Sequence, residues 1–193
     1  MAHFEPVTVV GIAAAFLLVA YGVRVAIRVA RSPAGDAPPS ADVAGVIAPP
    51  PLIYVGFLAL GALLEALWPL PFPALSAAAR YGLGGACALL GVGLAVTGAR
   101  RFSAAGTNIP PTLPTTTLVV DGPYRWTRNP LYLAMALIYI GIAIAAGSLW
   151  TLGLLVPLLV VINQGVISRE EHYLERKFGE PFRAYKARVR RWL

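Results

Sequence analysis

Residues 131–167 have the sequence LYLAMALIYIGIAIAAGSLWTLGLLVPLLVVINQGVI, and none of them is charged. An α-helix of about 20 apolar residues is long enough to cross the roughly 30 Å hydrocarbon core of a bilayer. Gly147 and Ser148 interrupt the run near its middle. The stretch therefore predicts two membrane-spanning helices that are joined by a very short turn and form an antiparallel hairpin.

The composition of the whole chain supports a membrane protein. Of its 193 residues 58% are hydrophobic and 13% are charged, whereas a soluble domain carries about 25% charged residues. The apolar runs are continuous rather than alternating, which favours helices over a β-barrel. We predict an all-α, polytopic membrane protein that forms a single membrane domain, residues 1–193, with about five transmembrane helices and a cytoplasmic amphipathic C-terminal helix. The predicted spans cover about residues 7–30, 51–68, 80–98, 131–148 and 150–167.

The basic residues predict how the chain is oriented in the membrane. Lys and Arg are enriched in cytoplasmic loops, and five spans place 15 of the 16 Lys and Arg residues on one side, with only Arg80 on the other. We therefore expect an integral protein of the cell (inner) membrane with its N-terminus outside and its C-terminus in the cytoplasm. This distribution indicates that the net charge of +7 serves contact with membrane lipids rather than with nucleic acid. Basic residues follow the first apolar stretch, which favours a retained helix over a cleaved signal peptide.

Two polar segments are expected at the cytoplasmic face. The first, residues 105–132, is rich in Pro and hydrogen-bonding groups. Asn129 is a candidate N-cap and Pro130 fits the first turn of the fourth span, so this helix would present free N–H groups and a partial positive charge. Residues 32–51, rich in Pro, Ala and Gly, predict a flexible linker.

The second polar segment is residues 168–193. Its basic, amphipathic sequence fits a helix on an anionic leaflet, although the fifth span can also continue into it without a break. Glu170 and Glu171 lie where the fifth span leaves the membrane. Two interpretations stay open for them: a solvated acidic pair at a helix start, or acceptors for a cationic or polyhydroxyl ligand.

The sequence offers few candidates for other sites. Cys87 is the only cysteine, and His3 and His172 are the only histidines, which excludes an intramolecular disulfide and argues against a metal site. Glu65 lies near the outer end of the second span. An acid within a span is often functional, but one near its end can reach the interface, so both interpretations remain open.

Several short motifs follow one another in the second half of the chain: LVVDGPY at 118–124, RNPLY at 128–132, REE at 169–171, FG at 178–179, and Tyr185. In order and spacing they resemble the isoprenylcysteine carboxyl methyltransferase family, which belongs with the phospholipid methyltransferases. The resemblance covers roughly residues 106–190. It implies methyl transfer from S-adenosyl-L-methionine at the cytoplasmic membrane face.

Carried over position by position, the resemblance implies cofactor contacts in both polar segments. Aromatic faces stabilise a sulfonium cation, and carboxylates accept hydrogen bonds from ribose hydroxyls and an ammonium group. Arg128 and Tyr132 are implied in the transfer step, which requires alignment of two reactants and no covalent enzyme nucleophile. The implied cofactor contacts are Leu118, Val119, Tyr124, Asn129, Pro130, Leu131, Tyr132, Glu170 and Glu171.

The acceptor is left open by departures from the eukaryotic members of the family. Asn129 stands where they have His, Ala134 where they have Gly, and Val166 where they have an Arg assigned to the substrate. We therefore expect a carboxylate, amine or thiol on a lipid-like molecule, with a phospholipid amine as the alternative. A non-catalytic transporter or scaffold is a further class, supported only by the spans and Glu65. Gly91 and Gly93 are expected to serve helix packing, but a distant similarity to a glycine motif keeps them as secondary cofactor candidates.

Overall fold

The computed structural model describes Arg24 and residues 42–193. In this part of the chain all regular elements are helical, which confirms the all-α prediction. A 3₁₀ turn, Gly122–Arg125, precedes the third α-helix, and a π-helical turn, Asn163–Ile167, follows the fourth. The α-helices are α1 (Pro50–Leu67), α2 (Ala77–Ala104), α3 (Pro130–Ala146), α4 (Leu149–Ile162), α5 (Ser168–Phe178) and α6 (Glu180–Arg188).

Three helices in the described residues are long and apolar enough to cross a membrane: α1, α2 and the continuous helix Leu149–Phe178. They correspond to the second, third and fifth predicted spans. The fourth prediction coincides with α3, which is apolar but has 17 residues, or about 26 Å at the usual α-helical rise. The first predicted span, residues 7–30, lies outside the described residues apart from Arg24.

Glycines allow α2 and α3 to pack closely. A Cβ atom on Gly84 would lie 2.6 Å from the carbonyl oxygen of Gly141, and one on Gly91 would lie 2.7 Å from that of Ala134. Small residues at such a crossing let two helical backbones approach each other in lipid. The packing interpretation is therefore confirmed for Gly91, whereas a Cβ on Gly93 would meet open space.

The fifth span continues without a break from α4 through the π-helical turn into α5. Gly179 then ends α5 with a φ of +59°, a conformation that glycine adopts at little cost. The chain turns back there, and Phe182 and Tyr185 of α6 become buried. The C-terminal region is thus two helices rather than the single predicted one, and the apolar side of α6 contacts protein instead of lipid.

The segment of residues 42–49, here named the N-terminal strap, is held against the rest of the fold. The backbone N–H of Ile47 donates to the carbonyl of Gly165 at 3.2 Å, and the guanidinium of Arg169 donates to the carbonyl of Gly45 at 2.8 Å. Asp42 forms an ion pair with Lys177. The expectation of a flexible linker is therefore wrong for this described part, because its backbone groups are hydrogen-bonded to α5 and its approach.

The turn between α3 and α4 lies at one end of the helical bundle, and we call this end the far end. Glu65 receives hydrogen bonds there from the Ser148 hydroxyl at 2.8 Å and from the Leu70 N–H at 3.2 Å. The indole of Trp150 donates to the carbonyl of Trp68 at 2.7 Å. Glu65 therefore fixes the end of α1 to the α3–α4 turn. The opposite end, where residues 105–132 and 168–193 meet, is called the site end.

Candidate active site

A cavity of about 500 Å³ lies at the site end. Its size is within the range of about 300–1,000 Å³ that is usual for small-molecule sites. Both polar segments line it, together with the N-terminal strap and the start of α1. Every predicted site residue contributes to its wall: Leu118, Val119, Tyr124, Arg128, Asn129, Pro130, Leu131, Tyr132, Glu170 and Glu171.

Tyr132 and Glu170 connect the two polar segments inside this cavity. The Tyr132 hydroxyl donates a hydrogen bond of 2.8 Å to Oε1 of Glu170. The Tyr132 ring is buried in the first turn of α3, and its backbone carbonyl accepts from the Tyr54 hydroxyl at 3.0 Å. Two residues that are 38 positions apart therefore form one polar group on the cavity wall.

Glu171 has a different set of partners from its neighbour. Arg128 donates to Oε1 of Glu171 from Nη2 at 2.7 Å and from Nε at 3.2 Å. Arg191 donates to the same oxygen from Nε at 3.1 Å and binds Oε2 through Nη2. The side chains of Arg128 and Glu171 are 10% and 7% exposed, so this carboxylate is buried but fully paired with cations.

The C-terminal residues after α6, here named the tail (residues 189–193), hold the segment that leads into α3. The Arg128 N–H donates to the carbonyl of Arg190 at 2.9 Å. The carbonyl of Arg191 accepts from the Thr127 hydroxyl at 3.1 Å and from the side-chain amide of Asn129 at 2.9 Å. Asn129 occupies the predicted N-cap position, but its side chain bonds the tail rather than α3.

Aromatic residues form a further part of the cavity wall. Tyr124 and Tyr185 are buried with Val119 and Phe182 in one cluster, and the Tyr185 hydroxyl donates to the Tyr124 carbonyl at 2.7 Å. Burial raises the pKa of both phenols above the ordinary value of tyrosine, so both stay neutral at physiological pH. The wall therefore presents uncharged aromatic groups to a ligand.

Tyr173 joins the N-terminal strap to the first polar segment. Its hydroxyl donates to Oδ1 of Asp42 at 2.9 Å and accepts from the Thr115 N–H at 3.0 Å. Hydrogen bonds from Lys177 and Tyr173 lower the pKa of Asp42. Because Tyr173 and Thr115 also line the cavity, these contacts fix two segments that border it.

The cavity wall carries more acidic than basic side chains. Arg128 is the only cation among the described lining residues, whereas Glu170 and Glu171 are both acidic. His172 is exposed, and Nδ1 of its ring lies 2.6 Å from the Ser168 carbonyl. Within the described ranges no cluster of three His, Cys, Asp or Glu side chains is arranged to hold a metal ion.

Sequence reasoning missed three contributors to this site: the N-terminal strap, Tyr173 and Arg191. The contacts of the strap are made largely by backbone atoms, which composition does not reveal. Arg191 is one of eight basic residues from position 169 onward, and nothing in the local sequence distinguishes it from the other seven. Gly91 and Gly93, by contrast, are absent from the described lining of the cavity.

Comparison with known proteins adds independent information. An uncharacterized protein of Haemophilus influenzae is 50% identical to this chain over 64 residues, which are 33% of this chain and the whole of that protein. No solved structure matches the chain. Residues 79–181, just over half of the chain, match the phospholipid methyltransferase family, and they contain all ten predicted site residues. The chain therefore belongs to the phospholipid methyltransferase family and is a membrane methyltransferase.

Proposed function

We propose that this protein transfers a methyl group from S-adenosyl-L-methionine to an amphipathic acceptor at the cytoplasmic face of the membrane. The observation that carries the proposal is the hydrogen bond between Tyr132 and Glu170 within a cavity that both polar segments line. Family membership supports the reaction class. The identity of the methyl donor and the roles of the individual residues are part of the proposal.

The donor groups of the cavity fit S-adenosyl-L-methionine. Glu170 can accept from the ammonium group or the ribose hydroxyls, while Leu118 and Val119 offer apolar surface to the adenine. The side chain of Asn129 does not cap α3 and Pro130 has no N–H, so the backbone N–H groups of Leu131 and Tyr132, two lining residues, are the ones offered to the ligand carboxylate. When bound, the ligand supplies an electrophilic methyl group on a sulfonium sulfur.

The residues of the chain have the task of orienting the methyl donor and the acceptor. The buried rings of Tyr124 and Tyr132 provide neutral π-faces for a sulfonium cation. Arg128 acts through its ion pair with Glu171, since Nε, Nη1 and Nη2 all donate to protein oxygens. Aligning the acceptor with the methyl group then supplies most of the rate enhancement.

The charge of the cavity favours an amine or thiol acceptor over a carboxylate. The one lining cation among the described residues, Arg128, is already neutralised by Glu171. Val166, at the position where the resemblance has a substrate-binding Arg, is fully buried and apolar. The carboxylate of an acceptor, added to that of the methyl donor, would therefore find no free cation among the described lining residues, which is unfavourable.

A labelling experiment tests this function. Membranes from cells that produce the protein are incubated with methyl-labelled S-adenosyl-L-methionine, and the lipid extract is counted. We expect label in the lipid fraction that is lost in the Glu170→Ala variant and kept in Glu65→Ala. Base treatment should release little volatile methanol, because N- and S-methyl products are stable whereas carboxyl methyl esters are hydrolysed. Label no higher than in control membranes would contradict the proposal.

The alternative of a transporter or scaffold depended on Glu65 as an intramembrane site. Both carboxylate oxygens of Glu65 are engaged by Ser148 and Leu70 at the far end. A residue that is used in this way to fix a turn offers little to a transported ligand. Loss of function in Glu65→Ala together with full function in Glu170→Ala would revive that alternative.

A further inference from the structure

We propose that Arg191, which lies outside the residues that match the family, is a positioning residue that sets the geometry of the methyl-donor site. The inference rests on the proposed function, because it assigns Arg191 a role in the same site. Arg191 does not line the cavity among the described residues. It acts through residues that do.

Arg191 contacts three separate elements at once. Its guanidinium binds both oxygens of Glu171 in α5, with Nε 3.1 Å from Oε1. Its Nη1 donates to Oδ1 of Asn163, in the π-helical turn, at 2.9 Å. Its backbone carbonyl accepts from Thr127 and Asn129, at the approach to α3. One residue therefore links the first turn of α3 to the helix that carries Glu170.

The guanidinium of Arg191 binds Glu171 at an oxygen that Arg128 does not bind. Both arginines donate to Oε1 of Glu171, whereas Oε2 is bound by Arg191. Glu171 is 5% exposed, so water cannot readily replace a lost donor. A carboxylate left half-paired in this position is expected to rotate. Arg128 and the adjacent Glu170 would then move from their positions at the cavity.

Other contacts keep the tail in place when the guanidinium is removed. Trp192 packs against the apolar cluster that contains Tyr132 and Tyr139. The backbone carbonyls of Arg190 and Arg191 keep their donors in any side-chain variant. The effect of Arg191→Met is therefore expected at the site rather than in the global fold.

Arg188 provides a matched control. It is exposed, lies three residues before Arg191, and donates through Nε to the carbonyl of Ala184 in its own helix. Arg188→Met removes the same charge from the same region without touching Glu171. A difference between the two variants therefore reports the specific contacts of Arg191.

The test measures binding of S-adenosylhomocysteine by calorimetry, and methyl-transfer kinetics, in full-length detergent-purified protein. We expect Arg191→Met to raise the Kd and the KM for the methyl donor about tenfold, with a smaller change in kcat. Arg191→Lys should recover part of the affinity, and Arg188→Met should stay within about twofold of wild type. Asn163→Ala, which removes one bond and leaves the tail intact, should weaken binding about threefold.

The outcomes separate this inference from the proposed function. If wild type binds S-adenosylhomocysteine and Arg191→Met and Asn163→Ala bind it equally well, Arg191 is not a positioning residue. If Arg191→Met does not fold, equal binding by Asn163→Ala and wild type overturns the inference by itself. If wild type does not bind, the proposed function fails instead.

Discussion

The two ends of the helical bundle both contain carboxylates in a largely apolar setting, but they use them differently. At the far end, Glu65 bonds Ser148 and Leu70 and closes a turn. At the site end, Glu170 bonds a single phenol and Glu171 bonds two guanidinium groups, beside a cavity of about 500 Å³. Under the proposed function, the partners of each acid, rather than its depth along a helix, separate the structural role of Glu65 from the ligand-binding role of Glu170.

Within the site end the same contrast holds between two neighbouring residues. Successive residues of an α-helix point about 100° apart, so Glu170 faces Tyr132 while Glu171 faces Arg128 and Arg191. Glu171 belongs to a buried ion pair, whose disruption leaves uncompensated charges. Glu170 keeps capacity to accept from a ligand, since its recorded partner is one neutral hydroxyl.

Removal of Glu171 should have the largest effect on stability. Glu171→Leu leaves the guanidinium of Arg128, 10% exposed, without its carboxylate, and breaking a buried pair in this way costs about 3–5 kcal/mol. Thermal unfolding of the detergent-purified variant should show a clearly lowered midpoint and reduced binding of S-adenosylhomocysteine. An unchanged midpoint would mean that the ion pair contributes nothing to the site end.

Leucine substitutions at Gly98 and Gly84 test whether the two ends of the bundle are independent of each other. A Cβ on Gly98 would lie 3.0 Å from Leu131 and 3.8 Å from the Tyr124 hydroxyl, whereas one on Gly84 meets Gly141 and Ala145. Overpacking against the Leu131 side chain costs about 1–3 kcal/mol, whereas a Cβ on Gly84 would lie 2.6 Å from a backbone carbonyl, so Gly84→Leu should lose more stability than Gly98→Leu.

Binding should distinguish the two glycine variants. Gly98→Leu disturbs two cavity-lining residues, and we expect weaker binding of S-adenosylhomocysteine, whereas Gly84→Leu should bind almost normally once folded. Calorimetry below the unfolding temperature measures this. Equal loss of binding in both variants would show that the two ends are not independent.

Tyr132→Phe removes one hydroxyl from the site. Glu170 then loses its hydrogen bond from the Tyr132 hydroxyl, worth about 0.5–1.5 kcal/mol, but the aromatic face remains for the sulfonium. We expect the rate of methyl transfer to fall up to about tenfold and the melting temperature to change little. Wild-type kinetics in this variant would remove the Tyr132 hydroxyl from the transfer step.

Glu65→Gln should have the smallest effect. The amide keeps the shape of the side chain and can still accept from Ser148 or Leu70, so a loss of about 1 kcal/mol is expected. Methyl-donor binding and methyl transfer should stay at wild-type levels. Strong inhibition of transfer in Glu65→Gln would extend the functional region to the far end.

Much of the fold was predictable from the sequence because a helix that crosses a lipid bilayer needs a long, continuous apolar run. Continuous apolar runs define α1, α2 and the helix Leu149–Phe178, and the ordered motifs predict which polar segments meet. The two C-terminal helices were not predicted, because the reversal at Gly179 depends on where Phe182 and Tyr185 find an apolar partner. That partner, Val119 with Tyr124, lies more than fifty residues earlier in the chain.

The lining of the cavity was predictable residue by residue, but the hydrogen-bond partners of each residue were not. Motifs identified Glu170 and Glu171 together, whereas their separate partners follow from the direction of each side chain in the folded helix. The contribution of the N-terminal strap depends on backbone hydrogen bonds such as that of Ile47 to Gly165. These bonds join segments that are distant in sequence, so the local composition does not predict them.

Calorimetric titration of S-adenosylhomocysteine into detergent-purified wild type, Glu170→Ala and Glu65→Ala tests the methyl-donor site most directly. We expect saturable binding by wild type and Glu65→Ala. For Glu170→Ala we expect a loss of about 2–3 kcal/mol of binding free energy, or roughly 30- to 150-fold in Kd. Equal affinity in Glu170→Ala and wild type would contradict the claim that the two polar segments together bind the methyl donor.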